Sequence, residues 1–219
     1  MIRNLLFDMD NTLYPSTDKI ETCMNHRMIT FISQFTGLSY EEAKKERLDR
    51  LPHYGTTLEW LQKERNLTDV DSYFNFIHPE SETKEISYDP KLRRFLLDLS
   101  KTYHMTVLTN APMVHAKRTL ELLDVYDLFD GIYDITANNF QGKPYSKAYL
   151  KPILEKNFTV DETLFIDDHP KYIRGYNHLG GKSVLIDAEN LLDIEELGEA
   201  TPYAKITSIY DLPTVLRTL

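Results

Sequence analysis

Three observations on this 219-residue chain point to an α/β protein whose mostly parallel sheet is interrupted, after its first strand, by a small all-helical insert. An apolar run, Ile2 to Phe7, stops abruptly at Asp8-Met9-Asp10-Asn11-Thr12, as a buried strand does where it delivers polar residues to the edge of a sheet. The hydrophobic period then lengthens from two to about 3.6 residues and stays helical up to Tyr88. From Asp89 onward, short apolar runs alternate with amphipathic stretches, the pattern of parallel strands joined by crossover helices.

Taken in order, the insert opens with Ile20, Met24, Met28, Phe31, Ile32 and Phe35 on one helical face, and Gly37 is a stop signal behind them. Ser39 and Glu42 have the spacing of a capping box. Further short helices are expected over Thr57 to Arg65 and Asp71 to Phe76, separated by the turn His53-Tyr54-Gly55-Thr56 and ended by Pro79. The aromatics Trp60, Tyr73, Phe74 and Phe76 read as the core of this insert rather than as a platform for stacking bases. The insert is assigned to residues 15–88 and the main body to 1–14 and 89–219.

In the main body, Asp89 is the expected N-cap and Pro90 the first residue of a helix that carries Leu92, Phe95, Leu96 and Leu99 on one face. Strands are expected at Met105 to Leu108, Gly131 to Ile135, Leu164 to Ile166 and Ser183 to Ile186. Helices are expected at Met113 to Leu123, Lys147 to Asn157 and Lys171 to Leu179. There is no internal repeat and no linker rich in Gly or Ser, so the insert reads as a cap on a two-part molecule.

Composition narrows the function. Hydrophobic residues make up 42% and charged residues 27%, the balance of a folded soluble protein. The net charge of -9, without a basic cluster, argues against a long nucleic-acid partner, while local donors and a metal still allow a small phosphate ester to bind. Cys23 is the only cysteine, so no intrachain disulfide forms and a reducing compartment is expected. Arg3, Asp8 and Asp10 interrupt the apolar core that a signal peptide requires, and no stretch is long and apolar enough for a membrane span. A cytoplasmic location is the resulting expectation. The seven histidines show no zinc-ligand spacing.

Ligands of open α/β sheets gather outside the carboxyl ends of the strands, so the polar residues that follow each expected strand carry the chemistry. These are Asp8 and Asp10, then Thr109-Asn110, then Asp167-Asp168, with Lys143 ahead of the helix between the last two. Carboxylates directly behind a buried strand are very costly unless a cation sits among them, and Mg²⁺ prefers such hard oxygen donors.

Asp8-Met9-Asp10-Asn11-Thr12-Leu13, Thr109-Asn110, Lys143-Pro144 and Phe165-Ile166-Asp167-Asp168 resemble the four motifs of the haloacid dehalogenase superfamily phosphatases. Leu13-Tyr14-Pro15, Tyr54-Gly55-Thr56-Thr57, Thr109-Asn110-Ala111 with His115-Ala116, and Asp127-Leu128-Phe129-Asp130-Gly131 further resemble the pyrimidine 5'-nucleotidase-like subgroup. The resemblance implies a Rossmann-like core with a helical cap. It also implies that Asp8 attacks phosphorus to give an aspartyl-phosphate, and that Asp10 protonates the leaving oxygen and later activates water. Mg²⁺ would be held by Asp8, the main-chain carbonyl of Asp10 and Asp168, with Asp167 acting through water, or with the roles of the two neighbouring acids exchanged.

Thr109, the amide of Asn110 and Lys143 would hold the phosphoryl oxygens. Lys147 and Lys151 compete for the lysine role but fall inside an expected helix at exposed spacing. Asn11 reads as a turn residue, and Thr12 as a group that bonds the backbone of its own loop. His169 stands where the family more often has a small residue, as a helix cap or a neighbour of the site. His53 and Tyr54, in the turn of the insert, are the candidates for contact with the leaving group. The implied reaction is hydrolysis of a small phosphate monoester, foremost a pyrimidine nucleoside monophosphate. The alternatives are a sugar phosphate or phosphoglycolate as substrate, and a phosphomutase outcome. A haloacid dehalogenase would need neither Asp10 nor the Asp167-Asp168 pair, and a non-enzymatic binding module would be expected to have lost one of these groups.

Overall fold

A computed structural model describes residues 1–15 and 19–219, so the expected start of the insert, at 15–18, lies largely outside the described residues. The chain folds as two compact units, Met1–Ser16 with Tyr88–Leu219, and Thr17–Ser87.

The first unit is built on strands β1 (Asn4–Phe7), β2 (His104–Leu108), β3 (Gly131–Tyr133), β4 (Thr163–Asp167), β5 (Lys182–Ile186) and β6 (Ala204–Ile206). They form one sheet in the order β3-β2-β1-β4-β5-β6, with every pair parallel. This is the α/β, Rossmann-like arrangement expected. A parallel sheet is covered on both faces, which is why β1 and β4 are buried at every position and apolar at their centres, Leu5 to Phe7 and Leu164 to Ile166, with the polar Asn4 and Thr163 bonded to each other at their starts and Asp167 at the end of β4. Phe7 stands level with Val107 on one side and Ile166 on the other, so the residues after β1, β2 and β4 leave the sheet at one edge. The strand order reverses between β1 and β4, the crevice where such sheets bind ligands.

Three local expectations are corrected. The third strand ends at Tyr133 rather than Ile135, because the Asp134 carboxylate accepts from the Ala137 amide and turns the chain into a 3-10 helix over Ile135–Asn138. The first helix of this part begins at Leu92, and Asp89 organises the preceding turn, its side chain accepting from Lys91 N and its carbonyl from Leu92 N. β6 has no counterpart among the expected strands, since an edge strand of three residues pairs on one side only and leaves no apolar run to read.

The second unit contains α1 (Lys19–Thr36), α2 (Tyr40–Arg50), α3 (Thr57–Arg65) and α4 (Val70–Ile77). Ser39 and Glu42 close the expected capping box on α2. α1 buries Ile20, Ile29, Phe31 and Ile32, so Ile29 takes the place given to Phe35, which is 42% exposed and stacks on Phe31. Trp60, Tyr73 and Phe74 are buried, as expected of core aromatics, while Phe76 is only partly buried; Tyr73 and Phe76 both meet Phe31 edge-on. Arg27 joins α1 to the far end of the unit through a two-pronged pair with Glu85 at 2.8 and 3.0 Å and a bond to the Ile77 carbonyl. Among the described residues no helix is long and apolar enough to cross a membrane.

The remaining helices, α5 (Leu92–Ser100), α6 (Met113–Leu122), α7 (Ser146–Glu155), α8 (Pro170–Asn177) and α9 (Leu212–Leu216), belong to the sheet-bearing unit. The apolar faces of α7 and α8 close over β4 through Tyr149, Ile153, Ile173 and Tyr176.

Candidate active site

The site is assembled at the carboxyl edge of the sheet. Asp8 follows β1 and is still tied to β4, its amide donating to the Ile166 carbonyl at 2.8 Å. Asn11 then adopts the left-handed conformation (φ 61°), and the Leu13 amide returns to the Met9 carbonyl at 3.0 Å, a tight turn that folds the loop over the strand end. The Thr12 hydroxyl donates to Asp8 Oδ2 at 3.2 Å, so Thr12 serves the Asp8 carboxylate and not the loop backbone as expected.

Lys143 is fully buried and its ammonium bridges Asp8 Oδ1 at 2.5 Å and Asp167 Oδ2 at 2.6 Å. Asp167 is also used on its other oxygen, which accepts from the His169 amide at 2.8 Å. Side-chain oxygens of Asp8, Asp167 and Asp168 lie within 4.8 Å of one another. Burial pushes the Asp8 carboxyl up to about 7, Lys143 pulls the other way, and Asp167 and Asp10 add to the rise. Burial also holds the Asp168 carboxyl well above the usual carboxylate range, with Asp167 and Asp8 acting in the same sense. Burial disfavours the Lys143 ammonium, yet Asp167 and Asp8 outweigh it and keep the group charged. Three acids share one ammonium, so their full ionisation calls for further positive charge, and the donors are all hard oxygens. These residues fit a divalent cation such as Mg²⁺.

Asp10 is held differently. Its Oδ1 accepts from the Tyr14 hydroxyl at 2.5 Å and lies 2.8 Å from His115 Nε2, while its Oδ2 faces the Thr109 hydroxyl at 3.4 Å. His115 comes from α6 and is fully buried. Neither Tyr14 nor His115 was among the candidate site residues. Their marks in the sequence are the segments Leu13-Tyr14-Pro15 and His115-Ala116 of the subgroup resemblance, which assign neither side chain a role, and a histidine on the apolar face of a helix more often marks a core histidine.

Thr109 leaves β2 with its amide bonded to the Tyr133 carbonyl at 3.0 Å. Both functional atoms of the Asn110 side chain bond the main chain of Lys143, beside a side-chain contact with Tyr172: Oδ1 accepts from Lys143 N at 2.7 Å, and Nδ2 donates to Lys143 O at 2.9 Å. Of the competing lysines, Lys147 is exposed and Lys151 pairs with Glu155 at 3.5 Å on the same helix. His169 caps α8, its Nδ1 accepting from the Lys171 amide at 3.2 Å. His53 and Tyr54 belong to the helical unit, where His53 is exposed at the end of a short 3-10 turn and the Tyr54 hydroxyl donates to Glu64 at 2.6 Å.

Comparison with known proteins agrees with this fold. The chain is 26% identical over 229 residues to "Phosphate metabolism protein 8" of Saccharomyces cerevisiae, covering 96% of this chain and 71% of that one. It is 24% identical to a glyceraldehyde 3-phosphate phosphatase of Methanocaldococcus jannaschii, covering 100% and 99%. The crystal structure of a HAD phosphatase from Thermococcus onnurineus superposes with a TM-score of 0.70 at 19% identity, covering 98% of each chain, a likeness of fold. A model of the haloacid dehalogenase-like hydrolases matches residues 5–186, strands β1 to β5 with the insert between them, and the chain belongs to that family.

Proposed function

We propose that this chain is a Mg²⁺-dependent phosphatase of small phosphate monoesters that works through an aspartyl-phosphate on Asp8. The observation that carries the reading is the different environment of the two acids on one loop: Asp8 faces the Lys143 ammonium at 2.5 Å, and Asp10 faces Tyr14, His115 and Thr109. A carboxylate beside a buried cation suits a nucleophile toward an anionic ester, and a second carboxylate held by hydroxyl and imidazole groups suits proton transfer.

In this reading an Asp8 oxygen forms the new bond to phosphorus as the ester P–O bond breaks, and Asp10 gives its proton to the departing oxygen. Water then attacks the aspartyl-phosphate, Asp10 takes the water proton, and Asp8 is released with inorganic phosphate. Thr109, the main-chain amide of Asn110 and Lys143 hold the phosphoryl oxygens, whose charge spreads in the transition state. Asp8, the Asp10 carbonyl and Asp168 would hold Mg²⁺, with Asp167 through water, an assignment supported by the double use of Asp167 by Lys143 and His169. When bound, the ion neutralises charge on the phosphoryl group and on Asp8.

The helical insert, 15–88, is read as the cap that selects the leaving group, with His53 and Tyr54 as its candidates. The motif resemblance favours a pyrimidine nucleoside 5'-monophosphate as substrate. A sugar or triose phosphate is the second reading, supported by the glyceraldehyde 3-phosphate phosphatase of M. jannaschii. A cytoplasmic setting is consistent with the lone cysteine, Cys23.

Phosphate release from a panel of nucleoside monophosphates, triose and sugar phosphates and phosphoglycolate, with Mg²⁺ and with EDTA, tests the reading. Wild type is expected to release phosphate only with the metal, and Asp8→Asn to release none. Preference for UMP or CMP selects the nucleotidase reading and preference for a triose phosphate the second one. Undiminished turnover by Asp8→Asn would refute the mechanism.

A further inference from the structure

We propose that the Asn110 side chain and Gly142 form a positioning device that sets Lys143 against Asp8. Naming its purpose rests on the phosphatase reading. Lysine is a compact charge on a stem with four rotatable bonds, so two carboxylates alone do not determine where its ammonium stands; the origin of the stem must also be held. Here that origin is held on both polar main-chain atoms by one side chain. Asn110 Oδ1 accepts from Lys143 N at 2.7 Å and Nδ2 donates to Lys143 O at 2.9 Å, a reciprocal pair between segments 33 residues apart. A planar amide is suited to this because it presents an acceptor and a donor side by side, which neither Asp nor Ser does at neutral pH.

Gly142 gives an independent sign of the same device. Its backbone does not lie in the left-handed region, so its own conformation does not require glycine. A Cβ there would stand 2.9 Å from Asn110 Cγ and closer still to Oδ1, and the three nearest atoms all belong to the Asn110 side chain. Glycine is needed at 142 because the amide occupies the space. From the other side, α8 approaches the same segment through Gly175, where a Cβ would lie 2.6 Å from the Pro144 carbonyl oxygen. Lys143-Pro144 is therefore gripped between the loop behind β2 and α8, while the Lys143 ammonium reaches inward to Asp8 and Asp167 at 2.5 and 2.6 Å. Asn110 acts in two separate ways on this view: its main-chain amide faces the ester, and its side chain acts through Lys143.

A double-mutant cycle tests the device. Asn110→Ala, Gly142→Ala and the double variant are compared by kcat and KM for the best ester of the panel, and by hydrogen exchange at the Lys143 amide. Each single variant is expected to lower kcat by about ten- to a hundredfold, as small misplacements of a charge-stabilising group do, with KM moved much less. Exchange at the Lys143 amide is expected to rise in both. In the Asn110→Ala background, Gly142→Ala is expected to change kcat by less than about twofold, because the atoms it would strike are gone. Equal fold-losses in both backgrounds, or unchanged exchange, would overturn the proposal. If Gly142→Ala alone does not fold, the double variant is expected to fold, and its failure also overturns the proposal. Absence of phosphate release by wild type from every ester would count against the phosphatase reading, while the exchange measurements would still decide whether Asn110 and Gly142 hold Lys143.

Discussion

Asp10 is set by one neighbour on its own loop and by another far away in sequence. Tyr14 and His115 meet its Oδ1 at 2.5 and 2.8 Å, leaving Oδ2 toward Thr109. If Asp10 moves protons, orienting it matters as much as its presence. Asp10→Asn is expected to cost about 10²- to 10⁴-fold in kcat, the range of general acid–base catalysis. Tyr14→Phe and His115→Ala are each expected to cost a smaller part of that, about tenfold, with kcat falling more than KM rises. Steady-state kinetics of the three variants checks this, and a His115→Ala enzyme with wild-type kcat would remove the orienting role.

At the scale of elements, two contacts control how strands and helices are seated. α8 lies so close to the Lys143-Pro144 segment that a Cβ on Gly175 would stand 2.6 Å from the Pro144 carbonyl and 2.7 Å from the Tyr149 hydroxyl. Gly175→Ala gains about 1 kcal/mol of helix propensity but overpacks a site with no slack, at about 1 to 3 kcal/mol. A lowered urea midpoint is the expected result. At the end of β5, Asp187 accepts from the Leu191 and Leu192 amides at 3.1 and 2.8 Å and from Lys205 of β6 at 3.2 Å. Burial pushes its pKa up, but these donors outweigh burial and leave it below the usual carboxylate value. A depressed folded pKa means that the contribution is present above the unfolded value of about 4 and is lost as the pH falls through the folded one. Asp187→Ala is thus expected to cost about 1 to 3 kcal/mol near neutrality and progressively less in acid. Chemical denaturation at several pH values measures it.

For the whole molecule, the buried acids behave in the opposite sense. The Asp8 pKa is raised to about 7, so the folded chain binds that proton more tightly than the unfolded chain does, and stability falls as the pH rises from about 4 toward 7. Asp8→Asn removes the ionisation. In EDTA the variant is expected to gain stability relative to wild type across that window, read as the difference of their melting temperatures. Mg²⁺ is expected to raise the wild-type melting temperature more at pH 7 than at pH 5, because the ion binds the charged cluster and not the protonated one. A metal shift that is the same at both values, or the same in Asp8→Asn, would contradict a site made of Asp8 and its neighbours.

The fold was legible because burial leaves a linear trace. Fully covered parallel strands read as apolar runs, Leu5-Leu6-Phe7 and Leu164-Phe165-Ile166 among them, and the switch to a helical period marks the insert. Acids placed directly behind such runs are energetically out of place, so Asp8, Asp10, Asp167 and Asp168 stood out before any contact was known. β6 did not, because a short edge strand needs no apolar run. What only the tertiary structure decided were the partners: Thr12 on Asp8, Tyr14 and His115 on Asp10, and Asn110 on the main chain of Lys143. Thr12 and Tyr14 reach their acids because the loop turns back on itself, whereas Asn110 and His115 arrive where the chain crosses itself in space, and a hydrogen bond between residues 105 positions apart, as for Asp10 and His115, leaves no periodicity in the sequence to reveal it.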